Sequence, residues 1–230
     1  MQDLFYFTVF LFCIGFMWFL LPYFVRKIQT YHLKLKCAQK RAIVLTFDDG
    51  PSKKLTPRIL DYLAQHNVQA TFFLLGSRAE ENPKILAKIV AGNHGVGSHS
   101  YKHLNAWRSL PLANLKDILQ GAKAISPAVK DNTLFRPPYG KTTLLSLLFI
   151  LFSDLKVSWW TIDPKDSLEK PTSHQYVLDQ IRKNNGGVVL LHDWDEYPSP
   201  EHDIYVISLV EKIITMAKAE GYTFATVSEV

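Results

Sequence analysis

From Leu4 to Val25 the chain carries no charged residue and is crowded with Phe, Leu, Ile, Val, Met and Trp. At about 1.5 Å per helical residue, this run is long enough to cross a hydrocarbon core of about 30 Å. It is apolar on every side, unlike a helix of a small soluble domain, which buries a single stripe. Only Asp3 is charged ahead of it, and no small-x-small cleavage site stands before the basic residues beyond it. An uncleaved, single-pass anchor in the plasma membrane is therefore expected rather than a removable signal. Pro22 lies near the far end, where it need not break the span.

The next segment, 26–41, carries Arg26, Lys27, Lys34, Lys36, Lys40 and Arg41 and no acid. The chain as a whole has 26 Lys and Arg against 21 Asp and Glu. The excess thus belongs to this stem, and the remainder is balanced. That argues against a nucleic-acid-binding face and for contact between the stem and anionic headgroups. By the positive-inside tendency the same charges favour a cytoplasmic position for the C-terminal domain. Cys13 lies in the apolar run and Cys37 in the stem, so the body of the chain can form no internal disulfide. The expected division is an anchor over 1–25, a stem over 26–41 and a catalytic domain over 42–230.

From Ala42 onward, short apolar runs alternate with segments of helical periodicity. Strands are expected at 42–47, 70–75, 94–98, 133–136, 156–162, 188–191 and 222–226, and helices at 54–66, from Asn82-Pro83 to Gly92, and at 112–125, 142–152, 173–183 and 204–219. This is an α/β pattern with a parallel sheet covered by helices, either open or closed into a barrel of about seven strands. The stretch 142–152 is free of charge and could touch a membrane a second time, but is too short to span one. No phosphate-binding glycine loop and no internal repeat is present.

Five polar clusters fall just after expected strands: Asp48-Asp49, His99 to His103, Arg136 to Gly140, Asp163 to Asp166 and His192-Asp193. In an α/β barrel that position is the catalytic rim. His99 and His103 are spaced as two imidazoles on one helical turn, able to share an ion. One of the paired aspartates could complete a two-histidine, one-carboxylate set, and the other could take a proton from water.

The ordered segments Thr46-Phe47-Asp48-Asp49-Gly50, His99-Ser100-Tyr101-Lys102-His103, Arg136-Pro137-Pro138-Tyr139-Gly140 and Leu190-Leu191-His192-Asp193 resemble the signature motifs of the polysaccharide deacetylase family, the NodB-homology carbohydrate esterases. The resemblance covers about residues 40–226. It implies a distorted (β/α) barrel and metal-dependent hydrolysis of an acyl group on a sugar. It also implies Asp48 as base, Asp49, His99 and His103 as metal ligands, and His192 as the acid that protonates the departing amine. Leu190 matches a position lining the acyl-methyl pocket, the Tyr139 N–H resembles an oxyanion donor, and Arg136 with Asp166 resembles the pair that orients and tunes the catalytic aspartate. Pro138, Trp159 and Trp194 are further candidates for the substrate pocket.

One departure stands out. The family usually has a tryptophan after Asp-x-x-Asp, where this chain has Asp163-Pro164-Lys165-Asp166-Ser167. The groove wall must then come from elsewhere, with Trp194 or Tyr197 as candidates. The implied substrate is an N-acetylated (or N-formylated) amino sugar, either in an envelope polymer or linked to a polyprenyl phosphate. A sugar-binding module without catalysis is the competing class. The implied cofactor is a divalent metal, zinc first, with Co2+, Ni2+, Mn2+ or Fe2+ compatible with the same donors. A monomer is expected.

Overall fold

The computed structural model describes residues 1–129, 134–193 and 200–230. One helix, α1 (Gln2–Lys40), carries both the apolar run and the basic segment without interruption. It is the one helix among the described residues that is long and apolar enough to cross a membrane. Its partly or fully buried positions, Trp18, Leu21, Pro22, Val25, Arg26, Thr30, Leu33, Cys37 and Ala38, recur every three or four residues. That spacing is a single stripe, so the C-terminal part of α1 docks on the domain along one face. Arg41 adopts a left-handed conformation (φ 48°), which ends the helix and turns the chain into the sheet.

The sheet is parallel throughout. Strands β1 (Ala42–Asp48), β2 (Thr71–Leu74), β3 (Gly95–Ser98), β4 (Leu134–Phe135), β5 (Lys156–Val157) and β6 (Gly187–His192) lie in the order β5-β4-β3-β2-β1-β6, and β7 (Thr223–Phe224) pairs with the start of β1. All seven β1 residues are buried, as expected of a central strand covered on both faces. The segment beginning at β5 leaves β4 and reaches β6, where Ile162 bridges Val189 and its carbonyl accepts from the Leu190 N–H at 3.0 Å. One extended segment therefore joins the two sheet edges, and the sheet closes as a distorted barrel.

Helices α2 (Leu55–His66), α4 (Pro83–Ala91), α5 (Pro111–Ile125), α6 (Leu144–Leu151), α7 (His174–Asn184) and α8 (Pro200–Glu220) cover the strands; a short α3 (Gly76–Glu81) lies between β2 and α4. Local chemistry sets their limits. Pro83 occupies the first turn of α4, and a reciprocal Thr143–Ser146 capping box starts α6. Asn67 (φ 53°) and Asn185 (φ 53°) end α2 and α7 in the left-handed region. The core is built from Ile43, Leu45 and Phe47 of β1, Phe72 and Leu74 of β2, and the inner faces of α2, α7 and α8. Phe47 and Phe72 stack at 5.0 Å.

The expected strands and long helices match the observed ones to within a few residues, except that the strand expected over 156–162 is regular only at Lys156–Val157 and is followed by an isolated bridge at Ile162. Two differences matter for function. The six-residue α3 occupies a stretch where no helix is expected, because it is too short to show a helical period. The helical turn expected over His99 to His103 does not form; that segment is a loop in which Ser100 (φ 67°) and His103 (φ 61°) are left-handed.

Candidate active site

Parallel strands deliver their last residues to one rim, and the register makes this concrete: Asp48 of β1 lies level with His192 of β6 and Phe73 of β2. Asp48 ends the strand and keeps its side chain inside the barrel mouth, 2% exposed. The next residue leaves the sheet. Asp49 takes φ 70°, which turns its carboxylate away from Asp48 and toward the β3 loop. Its carbonyl accepts from Arg78 Nη1 at 2.7 Å, so α3, unforeseen in the sequence, helps hold this turn.

Asp49, His99 and His103 converge, with one ligand atom from each lying within 4.8 Å of the others. Asp49 Oδ1 is 3.4 Å from His99 Nε2 and 3.3 Å from His103 Nε2. Donors about 2.1 Å from a tetrahedral ion are separated from one another by about 3.4 Å, so these edges suit one divalent cation. His99 Nδ1 lies 2.7 Å from the Arg136 carbonyl. A carbonyl only accepts, so Nδ1 carries the proton and Nε2 presents its lone pair to the cluster. Asp49 Oδ1 is buried without a hydrogen-bond partner. The His99 lone pair faces this carboxylate oxygen, an opposition that a cation between them relieves, and the residues present fit that group.

Electrostatics agree. Burial drives His99 down to about 3, which keeps it neutral. Burial pushes Asp49 upward, but His99, His103, His192 and Arg78 together pull it below its ordinary value. A neutral imidazole and an ionised carboxylate are the forms that bind a metal. The loop carrying the histidines is organised by Asp117 of α5, whose oxygens accept from the backbone N–H groups of Lys102 (2.8 Å) and Leu104 (3.2 Å). The signal for Asp117 was available: with Asn114 it breaks the apolar face of an amphipathic helix, and both are buried.

Arg136, fully buried at the end of β4, donates from Nη1 to Asp48 Oδ1 (2.8 Å) and Thr46 Oγ1 (2.7 Å), and from Nη2 to the Trp159 carbonyl (3.2 Å). Its guanidinium lies 4.0 Å over the Phe73 ring. Burial nevertheless wins at Asp48, which is raised to about 6 against the pull of Arg136. The second oxygen of Asp48 turns toward His99 Nε2 at 3.8 Å. The family resemblance implies that Asp166 acts with Arg136 on Asp48. It instead meets His192, accepting from the His192 backbone N–H (2.7 Å) and lying 2.9 Å from Nδ1. Burial lowers His192, but the Asp166 carboxylate overcomes it and raises the imidazole to about 10.

Asp48, Asp49, His99, His103 and His192 line a cavity of about 500 Å³ together with Tyr139, Lys141, Leu168 and Leu190. Its remaining wall comes from Pro137, Gly140, Trp160, Asp163, Lys165 and Ser167. Trp159 and Pro138 are the candidates read from the sequence. Both are buried, and Trp159 donates from its indole to Gln29 of α1 at 2.7 Å. Alternation explains the exchange, since adjacent residues of an extended segment face opposite ways. Ser167 and Leu168 border the cavity where the family tryptophan is missing. Tyr139, at φ 57°, sets its ring 4.4 Å from that of His103, tilted by 42°. Trp194 and Tyr197 lie outside the described residues. Arg26 of α1, a residue not foreseen near the site, donates to the Gly140 carbonyl at 2.5 Å and lies 4.6 Å over the Trp160 ring.

Comparison with known proteins agrees with this geometry. The family model described as "Polysaccharide deacetylase" matches residues 35–148. The chain is 34% identical over 199 residues to a peptidoglycan-N-acetylglucosamine deacetylase of Bacillus cereus, covering 83% of this chain and 88% of that protein. It is 33% identical over 195 residues to the Listeria monocytogenes peptidoglycan-N-acetylglucosamine deacetylase PgdA, covering 84% of this chain but 40% of that protein. A crystal structure of a peptidoglycan N-acetylglucosamine deacetylase superposes with TM-score 0.73 at 30% identity, over 83% of this chain and 87% of the other. The chain belongs to the polysaccharide deacetylase family, the NodB-homology carbohydrate esterases.

Proposed function

We propose that this protein removes the N-acetyl group from an amino sugar of a cell-envelope glycan of the peptidoglycan type, using a divalent metal, with zinc first among the candidates. The single observation that carries this reading is the convergence of Asp49, His99 and His103 beside a second, separately held carboxylate, Asp48. A cation bound there supplies Lewis acidity to a water and to the acyl oxygen.

The chain supplies the rest. Asp48, fixed through Oδ1 by Arg136, has its other oxygen turned toward the ligand cluster and accepts the proton of the attacking water. Its pKa of about 6 is close to the optimum for a base working near neutrality. The backbone N–H of Tyr139 meets the charge that develops on the acyl oxygen. His192, kept protonated by Asp166, gives its proton to the amine as the C–N bond breaks. Leu190 offers an apolar wall to the acetyl methyl group.

A second reading has its own support. Arg26, the first charged residue after the apolar run, is bonded to Gly140 of the cavity wall, so the site lies close to the end of the span. An amino sugar carried on a polyprenyl phosphate would reach such a site. The side of the membrane distinguishes the two, since a polymer is accessible only from outside. Three of the six stem charges, Arg26, Lys40 and Arg41, are engaged by the domain through Gly140, Glu229 and Asn185, which weakens the charge argument for a cytoplasmic position.

The test is incubation of the purified full chain with peptidoglycan fragments, chitooligosaccharides and polyprenyl-phosphate N-acetylhexosamines, with acetate quantified. Acetate released from peptidoglycan fragments, lost with chelator and restored by Zn2+, is expected. No acetate from any of the three would overturn the reading. Release from the lipid-linked sugar alone, with reporter fusions after residue 41 reading cytoplasmic, would favour the second.

A further inference from the structure

Beside α1 the domain exposes large apolar side chains from two neighbouring elements. Leu110 (77% exposed) and Leu112 (76%) lie at the start of α5, and Leu151 (63%) and Phe152 (89%) at the end of α6. The two helices pack on one another, and α6 packs on α1. No charged residue occurs between Lys141 and Asp154. Both helices lead from the rim back toward the strand starts, and Ile118 of α5 packs with Ile150 of α6, so Leu110 and Leu112 lie toward the rim end and Leu151 and Phe152 toward the other. Exposed apolar groups of this size at the rim end mark a contact.

Two observations identify what covers it. The ring of Phe19, inside the apolar run of α1, lies edge-on to Trp107 at 5.6 Å. A residue touching a membrane-embedded side chain shares its depth, and Phe19 lies seven residues before Arg26, or about 10 Å along the helix. That is the depth at which interfacial helices bury their apolar faces. Trp107 itself is built like an interfacial residue. It is half exposed, its indole N–H donates to the Thr142 carbonyl at 3.0 Å, and Lys141 Nζ lies 4.8 Å over its ring.

We infer that the domain rests in the bilayer surface through a second apolar contact, formed by Trp107, Leu110 and Leu112 beside α1, so that the cavity opens at the level of the lipid headgroups. Lys141 borders both the cavity and Trp107 and therefore faces headgroup phosphate. The inference rests on α1 crossing the bilayer and is independent of the reaction, so it can fail while the deacetylase reading stands.

The full chain, carrying Cys13→Ser with the buried Cys37 retained, is reconstituted in phosphatidylethanolamine–phosphatidylglycerol vesicles. Nitroxide labels are placed one at a time through Leu110→Cys and Leu112→Cys, with Glu211→Cys on α8 as the water reference. Collision rates with oxygen should exceed those with a water-soluble nickel chelate several-fold at both patch positions, with the order reversed at 211. Nickel access at the patch equal to that at 211 would overturn the inference. So would low access to both reagents with spin–spin broadening between labels, which would assign the patch to a second copy. Circular dichroism of each variant checks folding, and agreement between the two positions guards against one perturbed variant.

Discussion

Asp48 and Asp166 are both buried at the rim of the same barrel, and they titrate in opposite directions. Asp48 accepts one guanidinium hydrogen bond, is held near a second carboxylate and is raised to about 6, burial outweighing Arg136. Asp166 is buried as deeply, but it receives a backbone N–H and an imidazole, and its carboxyl is held below the ordinary range. Burial alone therefore does not set the chemistry of a carboxylate; the number and charge of its partners do. One acid is left able to take a proton near neutral pH. The other is committed to keeping His192 protonated. Pairs whose surroundings push their pKa values apart are how a single site runs base and acid steps together.

The sharpest way to break this comparison is to remove the base while keeping the ligand cluster. Asp48→Asn preserves shape but cannot accept the proton, and kcat should fall by about 10^3. A fall of less than tenfold at saturating substrate would remove Asp48 from the base role. Next in size is Asp166→Asn, expected to cost about 10^2 in kcat because His192 loses the charge that keeps it protonated. Its signature is in the pH profile. On the proposed mechanism, wild-type activity requires Asp48 ionised and His192 protonated, so it should rise through about pH 6 and fall only toward about pH 10. In Asp166→Asn the alkaline limb should move toward neutral pH while the acidic limb stays in place. An unmoved alkaline limb would separate Asp166 from the acid step.

The smallest expected effect is on stability. His192 is raised in the fold from an ordinary value near 6.5 to about 10, so its contribution is complete below pH 6.5 and fades as pH rises toward 10. Asp166 is lowered, so its share is complete above the ordinary carboxylate value and is lost only in stronger acid. Buried Asp193, raised to about 7 by burial despite the Thr56 hydrogen bond, favours the fold while protonated and loses that advantage between about pH 4 and 7. Together these predict a Tm a few degrees higher at pH 6 than at pH 9, with His192 and Asp193 supplying the difference. Thermal unfolding of Asp166→Asn should show a flatter dependence across that range, and an equally steep one would discount the His192 contribution.

The same contrast explains what could be read from the sequence. Which residues converge was legible: a parallel sheet brings the residue after each apolar run to one rim, which points to the clusters holding Asp48, His99, His103, Arg136 and His192, and the family motifs imply their roles. The conformation that joins them was not. His99 and His103 have helical spacing, yet they meet through two left-handed turns braced by Asp117, and no period encodes that. The choice of Trp160 over Trp159 depends on strand phase, and one residue of offset reverses it. Arg26 reaches Gly140 across 114 positions of sequence, a contact fixed by how α1 docks rather than by any local pattern.

The central claim is that adjacent aspartates divide the work, Asp49 holding a cation and Asp48 holding none. Metal content by mass spectrometry, measured on apo protein reloaded with Zn2+, tests it directly. The wild type and Asp48→Asn should each retain one equivalent, while Asp49→Ala should retain none. Loss of the ion from Asp48→Asn, or its retention by Asp49→Ala, would contradict the account.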